Sequence, residues 1–177
     1  MCDYGTTLYR YEIRHVDDVP WPHGLGGGNH PELQDAMRAH LGDRWGVPAT
    51  NEWAFHHDPE YRRIAQFYLA QADFTADLTT VVSQATSLAA NLPLLNRVSE
   101  REEWQAGVAA LCEANEIDTR WGGRDFQLVR YLREPLDFSS SNEAPFNNGR
   151  HRITWLRLRH LDCSGPSQLL VAYMLPS

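Results

Sequence analysis

Four groups of residues in this chain have types and spacings that can do chemistry. Histidine is the first. Six of the eight histidines stand at 15, 23, 30, 40, 56 and 57, in "HVDD" (15–18), "WPHGLGGGNHP" (21–31) and "HHDPE" (56–60) among other contexts. Neutral imidazole and carboxylate are good ligands for zinc and similar ions. His15, His23, His30, His56, His57 and Asp58 therefore form a candidate metal set. On that reading the chain is a small hydrolase with a His/Asp site in its N-terminal third. Against it, adjacent histidines on one backbone rarely aim at one ion. Asp58 also precedes Pro59, where it serves as a helix cap.

The second group is the glycine run "GLGGGN" (24–29), between a strand-like and a helix-like stretch. Free backbone N–H groups and the positive end of a helix attract anions. The run lacks the G-x-G-x-x-G spacing, and Glu32 in the first turn of the next helix repels an anion. It reads as a connector.

Arginine supplies the third group. Arg10 and Arg14 share one side of an alternating stretch, and Trp155, Arg157 and Arg159 share one side of another, with Arg133 between them in sequence. On an open sheet face, guanidinium and indole groups hold carboxylates, phosphates or planar groups. They are also enriched at protein interfaces. The competing reading is a solvated face with a cross-strand pair to Glu12. The other row of the later stretch, Leu156 and Leu158, could face the core.

The fourth group is the polar segment 135–149, with Phe138 and Phe146 as apolar anchors. Loops beyond about 12–15 residues are usually lids, binding segments or disordered.

Two short likenesses add little. "HHD" resembles the His-Asp doublet of metal-dependent phosphohydrolases over three residues, but Pro59 makes it a helix boundary. Met1-Cys2 is similar to the start of N-terminal nucleophile glutamine amidotransferases, in which the terminal amine acts as base. No downstream glycine–asparagine signature accompanies it; "NNG" (147–149) does not supply one.

Composition bounds the rest. The chain has 177 residues, 42% of them apolar and 22% charged, as in an ordinary globular domain. All sixteen basic residues are arginine. Schiff-base chemistry and a Walker A loop are thereby excluded. Residues 1–119 hold 18 acids against 8 arginines, and residues 120–177 hold 8 arginines against 5 acids. The net charge of −7 argues against general nucleic-acid binding. Cys2, Cys112 and Cys163 form no disulfide framework and point to a reducing compartment, the cytoplasm. No apolar run reaches the ~18 residues of a membrane span, and no secretory signal is visible.

These groups need elements to position them. Alternation predicts strands over 6–15, 126–132, 152–161 and 168–175. Periodicity and capping predict helices over 31–41, 59–72, 75–91 and 100–115. Ser99 and Glu102 have the spacing of a capping box for the last of these. The order suggests one α+β domain over 1–177: an antiparallel sheet of about four strands with three or four helices on one face.

No group has the specificity of a catalytic motif, although the sequence leaves open whether the chain is an enzyme. The preferred reading is a non-catalytic binding or regulatory protein without cofactor or metal. Its contact surface would be Arg10, Arg14, Arg133, Trp155, Arg157 and Arg159 together with the 135–149 loop. The expected partner is a protein; an inhibitor of a nucleic-acid-binding protein is one version. A homodimer would suit an exposed Trp155.

Overall fold

Tyr9, Tyr11 and Ile13 alternate with Arg10, Glu12 and Arg14, and this period of two makes a strand. In the computed structural model, which describes residues 6–176, that strand is β1 (Leu8–His15). Helices α1 (Pro31–Leu41), α2 (Pro48–His57) and α3 (Pro59–Leu69) follow, each with a proline in its first turn. Proline suits that place because its missing N–H would have no helical partner there. Then come α4 (Leu78–Ala89), β2 (Val98–Glu100), α5 (Arg101–Ala114), α6 (Phe126–Arg133), β3 (Leu136–Phe138), β4 (Phe146–Asn148), α7 (Arg150–Leu161) and β5 (Gln168–Met174).

The α+β class stands, but the four-strand antiparallel sheet does not. Five strands run in the order β2-β1-β5-β3-β4, and seven α-helices accompany them among the described residues. Three pairings are antiparallel, while β3 and β5 are parallel. Two expected strands are helices. Segment 126–132 lies in α6, which buries Leu128, Val129, Tyr131 and Leu132, the i, i+1, i+3, i+4 stripe of a helix. Trp104 Nε1 donates to Leu132 O and Tyr131 Oη to Leu170 O, so the C-terminal end of the stripe is tied down twice.

Segment 152–161 lies in α7. Its Ile153 and Leu156 belong to the cluster around the sheet, Leu158 belongs to the cluster of α1, α2 and α3, and Trp155 touches both. A helix buried on several sides shows no single stripe, and its leucine–arginine alternation imitates a strand. The helical state of this segment also explains the parallel pair. Strands running the same way need a long crossover, and α7 supplies it between the β3–β4 hairpin and β5. Gly149 starts that crossover at φ 102°, where a Cβ would lie 2.5 Å from Leu136 Cδ2.

The sheet register separates two faces. Tyr11 lies opposite Ala172, and its ring stacks on Trp104 of α5 at 3.9 Å. Arg10, Glu12 and Arg14 pair with Tyr173, Val171 and Leu169 on the other face, and Phe138 pairs with Tyr173 there. The capping box of α5 is formed by Glu100 and Glu103, one residue later than the spacing suggested. Cys112 is buried and Cys163 exposed, while Cys2 lies outside the described residues. Among the described residues, no helix is long and apolar enough to cross a membrane.

Candidate functional site

The glycine run is fastened at several points. Gly26 N–H donates to His151 Nε2 at 2.9 Å, and Arg150 donates to Gly26 O. Arg150 Nη1 meets His23 Nε2 at 2.9 Å, and Trp45 Nε1 donates to Leu25 O at 2.9 Å. Gly26 has φ 100°, and any Cβ there would run into Gln34. The segment is a strap across the head of α7.

That helix begins unusually. Its first turn carries Arg150, His151 and Arg152 and no acid. A helix N-terminus is the positive end of the dipole and favours anions, so cationic side chains there are unfavourable unless something offsets them. His151 avoids the conflict by staying neutral. Burial, then His30, Arg150 and His23, pull its pKa down to about 3. Since Gly26 N–H occupies Nε2, the ring proton sits on Nδ1, which is left as a donor.

Beside this turn lies a cavity of about 240 Å³. Arg130, Arg152, His30 and His151 supply donors to its wall, Phe74, Leu78 and Val81 form an apolar side, and Glu134 stands among the lining residues. Arg152 donates to the carbonyls of Glu134 and Pro135, at 3.5 Å each, and lies 5.6 Å from the Tyr131 ring centre, with the charges of Arg130 and Glu134 nearby. Burial lowers its pKa. Among the described residues, Arg130, Arg150 and Arg152 have no carboxylate within ion-pair distance.

A second, wider groove of about 580 Å³ lies on the sheet face of Arg14. Arg14 donates to Glu12 Oε1 through Nε and Nη2 at 3.0 and 2.6 Å, and its guanidinium lies 5.1 Å from the Phe138 ring centre. Trp21, Tyr173, Glu52 and Ser139–Asn142 are among its walls. The 135–149 segment is partly a hairpin, with β3 and β4 as its arms and Ser139 N–H donating to Pro145 O at 2.8 Å.

Of the six residues expected to form one surface, Arg10 and Arg14 share this face. Arg133 does not join them. It comes from α6 and lines a separate cavity with Tyr11, Arg101 and Asp137, residues tied to the opposite face. Trp155, Arg157 and Arg159 sit on α7, not on a strand. Arg157 is buried at 2% exposure, and Arg159 pairs with Asp162 at 3.7 Å. Helical geometry fans these three side chains around α7, so they cannot form the single row that a strand would give.

The candidate metal set is dispersed as well. His23 faces the Arg150 cation, and His30 packs on His151 with ring centres 4.5 Å apart. His56 and His57 end α2 next to Trp21 and Trp53. Asp58 caps α3 through Glu60 N–H and Tyr61 N–H, and meets His40 Nε2 at 2.6 Å. Among the described residues, His15 alone of the set finds a different trio: atoms of His15, Asp17 and His160 lie within 4.8 Å of one another.

Sequence reading missed Arg130, His151 and Arg152. The available signal was "NNGRHR", a glycine followed by a basic turn, which is a helix start with charges of the wrong sign. Comparison with protein families, curated proteins and solved structures returns no match for this chain.

Proposed function

We propose that the chain is a non-catalytic binding or regulatory protein that recognises a protein partner through the Arg10/Arg14 sheet face and the 135–149 loop. The observation that carries this reading is the groove, where Arg14, Trp21, Tyr173 and the tip of that loop converge. Trp155, Arg157, Arg159 and Arg133 no longer belong to the surface. The occupant is an extended segment with a carboxylate beside a proline or other apolar residue. Pro20, Pro48 and Pro145 line the groove with its aromatic rings, and such walls accept extended segments whose backbone is already stiff. Arg10 is exposed and free of ion pairs among the described residues, and it offers the carboxylate a charged partner. Action in the cytoplasm agrees with the unpaired cysteines.

Selection from a displayed peptide library tests this reading. Recovered peptides are expected to share an acidic residue, to bind more weakly as salt rises, and to lose about tenfold in affinity to Arg10→Glu or Arg14→Ala. Peptides without that residue, or affinity indifferent to both variants, would remove the reading. Sedimentation of the free chain as a dimer through this face would replace the partner with a second copy.

A second reading, the small hydrolase, is favoured by one observation: the His15–Asp17–His160 trio reaches metal-ligand proximity. Metal analysis after incubation with zinc decides it. About one zinc per chain, lost in His160→Ala, supports a metal site; none bound ends that reading.

A further inference from the structure

We propose that the cavity at the head of α7 binds a small organic monocarboxylate with an apolar body. This goes beyond the partner surface, since none of the residues lining the one lines the other. Three features converge. The first turn of α7 holds two arginines and a histidine and no acid, against the preference of the dipole. Gly149 caps that helix without a side-chain hydrogen bond. The early N–H groups of a helix have no partner within it. Arg152 and Arg130 line the cavity without a carboxylate partner among the described residues. Arg152 is partly buried, and a buried cation left so is costly; a bound anion removes that cost.

The class of anion follows from the rest of the lining. Guanidinium is a planar fork that matches a carboxylate with two parallel hydrogen bonds. His151, neutral and protonated on Nδ1, adds a donor whose state does not change near neutrality. Phe74, Leu78 and Val81 provide a wall that inorganic phosphate would not use, whereas a hydrocarbon chain or ring would be driven onto it. Glu134 in the lining repels a dianion more strongly than a monoanion. A space of about 240 Å³ lies below the ~300–1,000 Å³ of drug-sized sites, so the ligand is smaller than a nucleotide. The chain as a whole is acidic, whereas residues 120–177, which supply Arg130 and Arg152, hold more arginines than acids.

Nuclear magnetic resonance titration of the full chain tests the site with three probes at fixed ionic strength: sodium phenylacetate, sodium isovalerate and sodium phosphate. Phenylacetate is expected to shift the amides of His151 and Arg152 saturably, with a Kd on the order of 1 mM for a ligand of that size. Phosphate should bind at least about tenfold more weakly. Arg130→Gln changes an exposed residue and should weaken phenylacetate binding severalfold. Arg152→Met should weaken it about tenfold or more while leaving the melting temperature unchanged or raised, which a purely structural arginine would not do. Arg14→Ala should leave it unchanged, which separates failure of this site from failure of the groove. The proposal is overturned by absence of saturable shifts, by tighter binding of phosphate, or by wild-type phenylacetate affinity in Arg130→Gln and Arg152→Met.

Discussion

Arg157→Ala lowers the stability of the protein by about 3–5 kcal/mol, and the midpoint of thermal unfolding by roughly 10 °C, whereas Arg159→Ala changes it by less than about 0.5 kcal/mol. The two arginines are neighbours on α7 and look alike in sequence. Arg157 is 2% exposed and donates to Val16 O at 3.1 Å, to Val19 O and to Pro20 O at 3.4 Å. Its guanidinium also lies 3.7 Å from the centre of the Trp21 ring. The segment 16–20 links β1 to the glycine strap, and these carbonyls take their donors from α7. Truncation leaves them buried without donors and opens a cavity. Burial lowers the pKa of Arg157 to about 10, so it still carries its charge at neutral pH. Arg159 is half-exposed, with a long pair to Asp162, and such surface pairs contribute little. Calorimetry or urea unfolding of the two variants checks the contrast; equal losses would mean that Arg157 is not the tie described.

The second large effect is acid sensitivity above the carboxylate range. Between pH 7 and pH 5 the folded state loses about 2 kcal/mol, or roughly 4–8 °C of melting temperature, and His151→Gln removes most of that loss. His151 titrates near its ordinary value of 6.5 when unfolded and at about 3 when folded. Between those values the unfolded chain binds more protons, so stability falls as pH falls. The contribution of His151 is complete above pH 6.5 and is lost progressively toward pH 3. The groups around the ring are His30, His23 and Arg150, and none is an acid that would favour imidazolium. His23, lowered by burial and by Arg150, acts with the same sign. Asp137, which burial pushes up despite Asn147 and Arg101, acts with the opposite sign, because protonation relieves its burial as pH falls. Gln can still accept from Gly26 N–H, so the substitution removes the titration and keeps the tie. Unfolding free energies of both proteins at pH 7, 6 and 5 test this; parallel curves would refute it.

Much of the framework could be read locally. Strand β1 was legible because its residue types alternate, Tyr9, Tyr11 and Ile13 against Arg10, Glu12 and Arg14, and its fully buried members are Tyr9 and Tyr11. Helices α1 and α3 were legible because proline, and the Asp58 cap of α3, act within one turn. The bounds of α1 match the expected 31–41, and those of α3 fall three residues short at the C-terminal end. Helix α2 was missed because it buries Asn51, a polar residue that donates to Trp45 O and Val47 O and accepts from Tyr61 Oη. Its burial is sustained by partners that sequence does not display. Strands β2, β3 and β4 have three residues each, too few to show a period.

The site was legible only in its parts. Arg10 and Arg14 were placed together correctly by alternation. Trp155, Arg157 and Arg159 were misplaced, because a helix packed between two clusters can carry a sequence that alternates like a strand. Cavity residues Arg130 and Arg152 stand 22 positions apart on two helices, and His30 reaches the cavity from the glycine strap.

By itself the sequence determined the α+β class, the first strand, the proline-started helices, and the exclusion of lysine chemistry. These depend on residue type and on contacts within a turn or a strand. Only the tertiary structure decided that 126–132 and 152–161 are helices, that β3 and β5 run parallel, and which arginines are buried, paired or free. Those outcomes depend on which surfaces meet, and long-range burial outweighs local pattern wherever a segment is enclosed on more than one side.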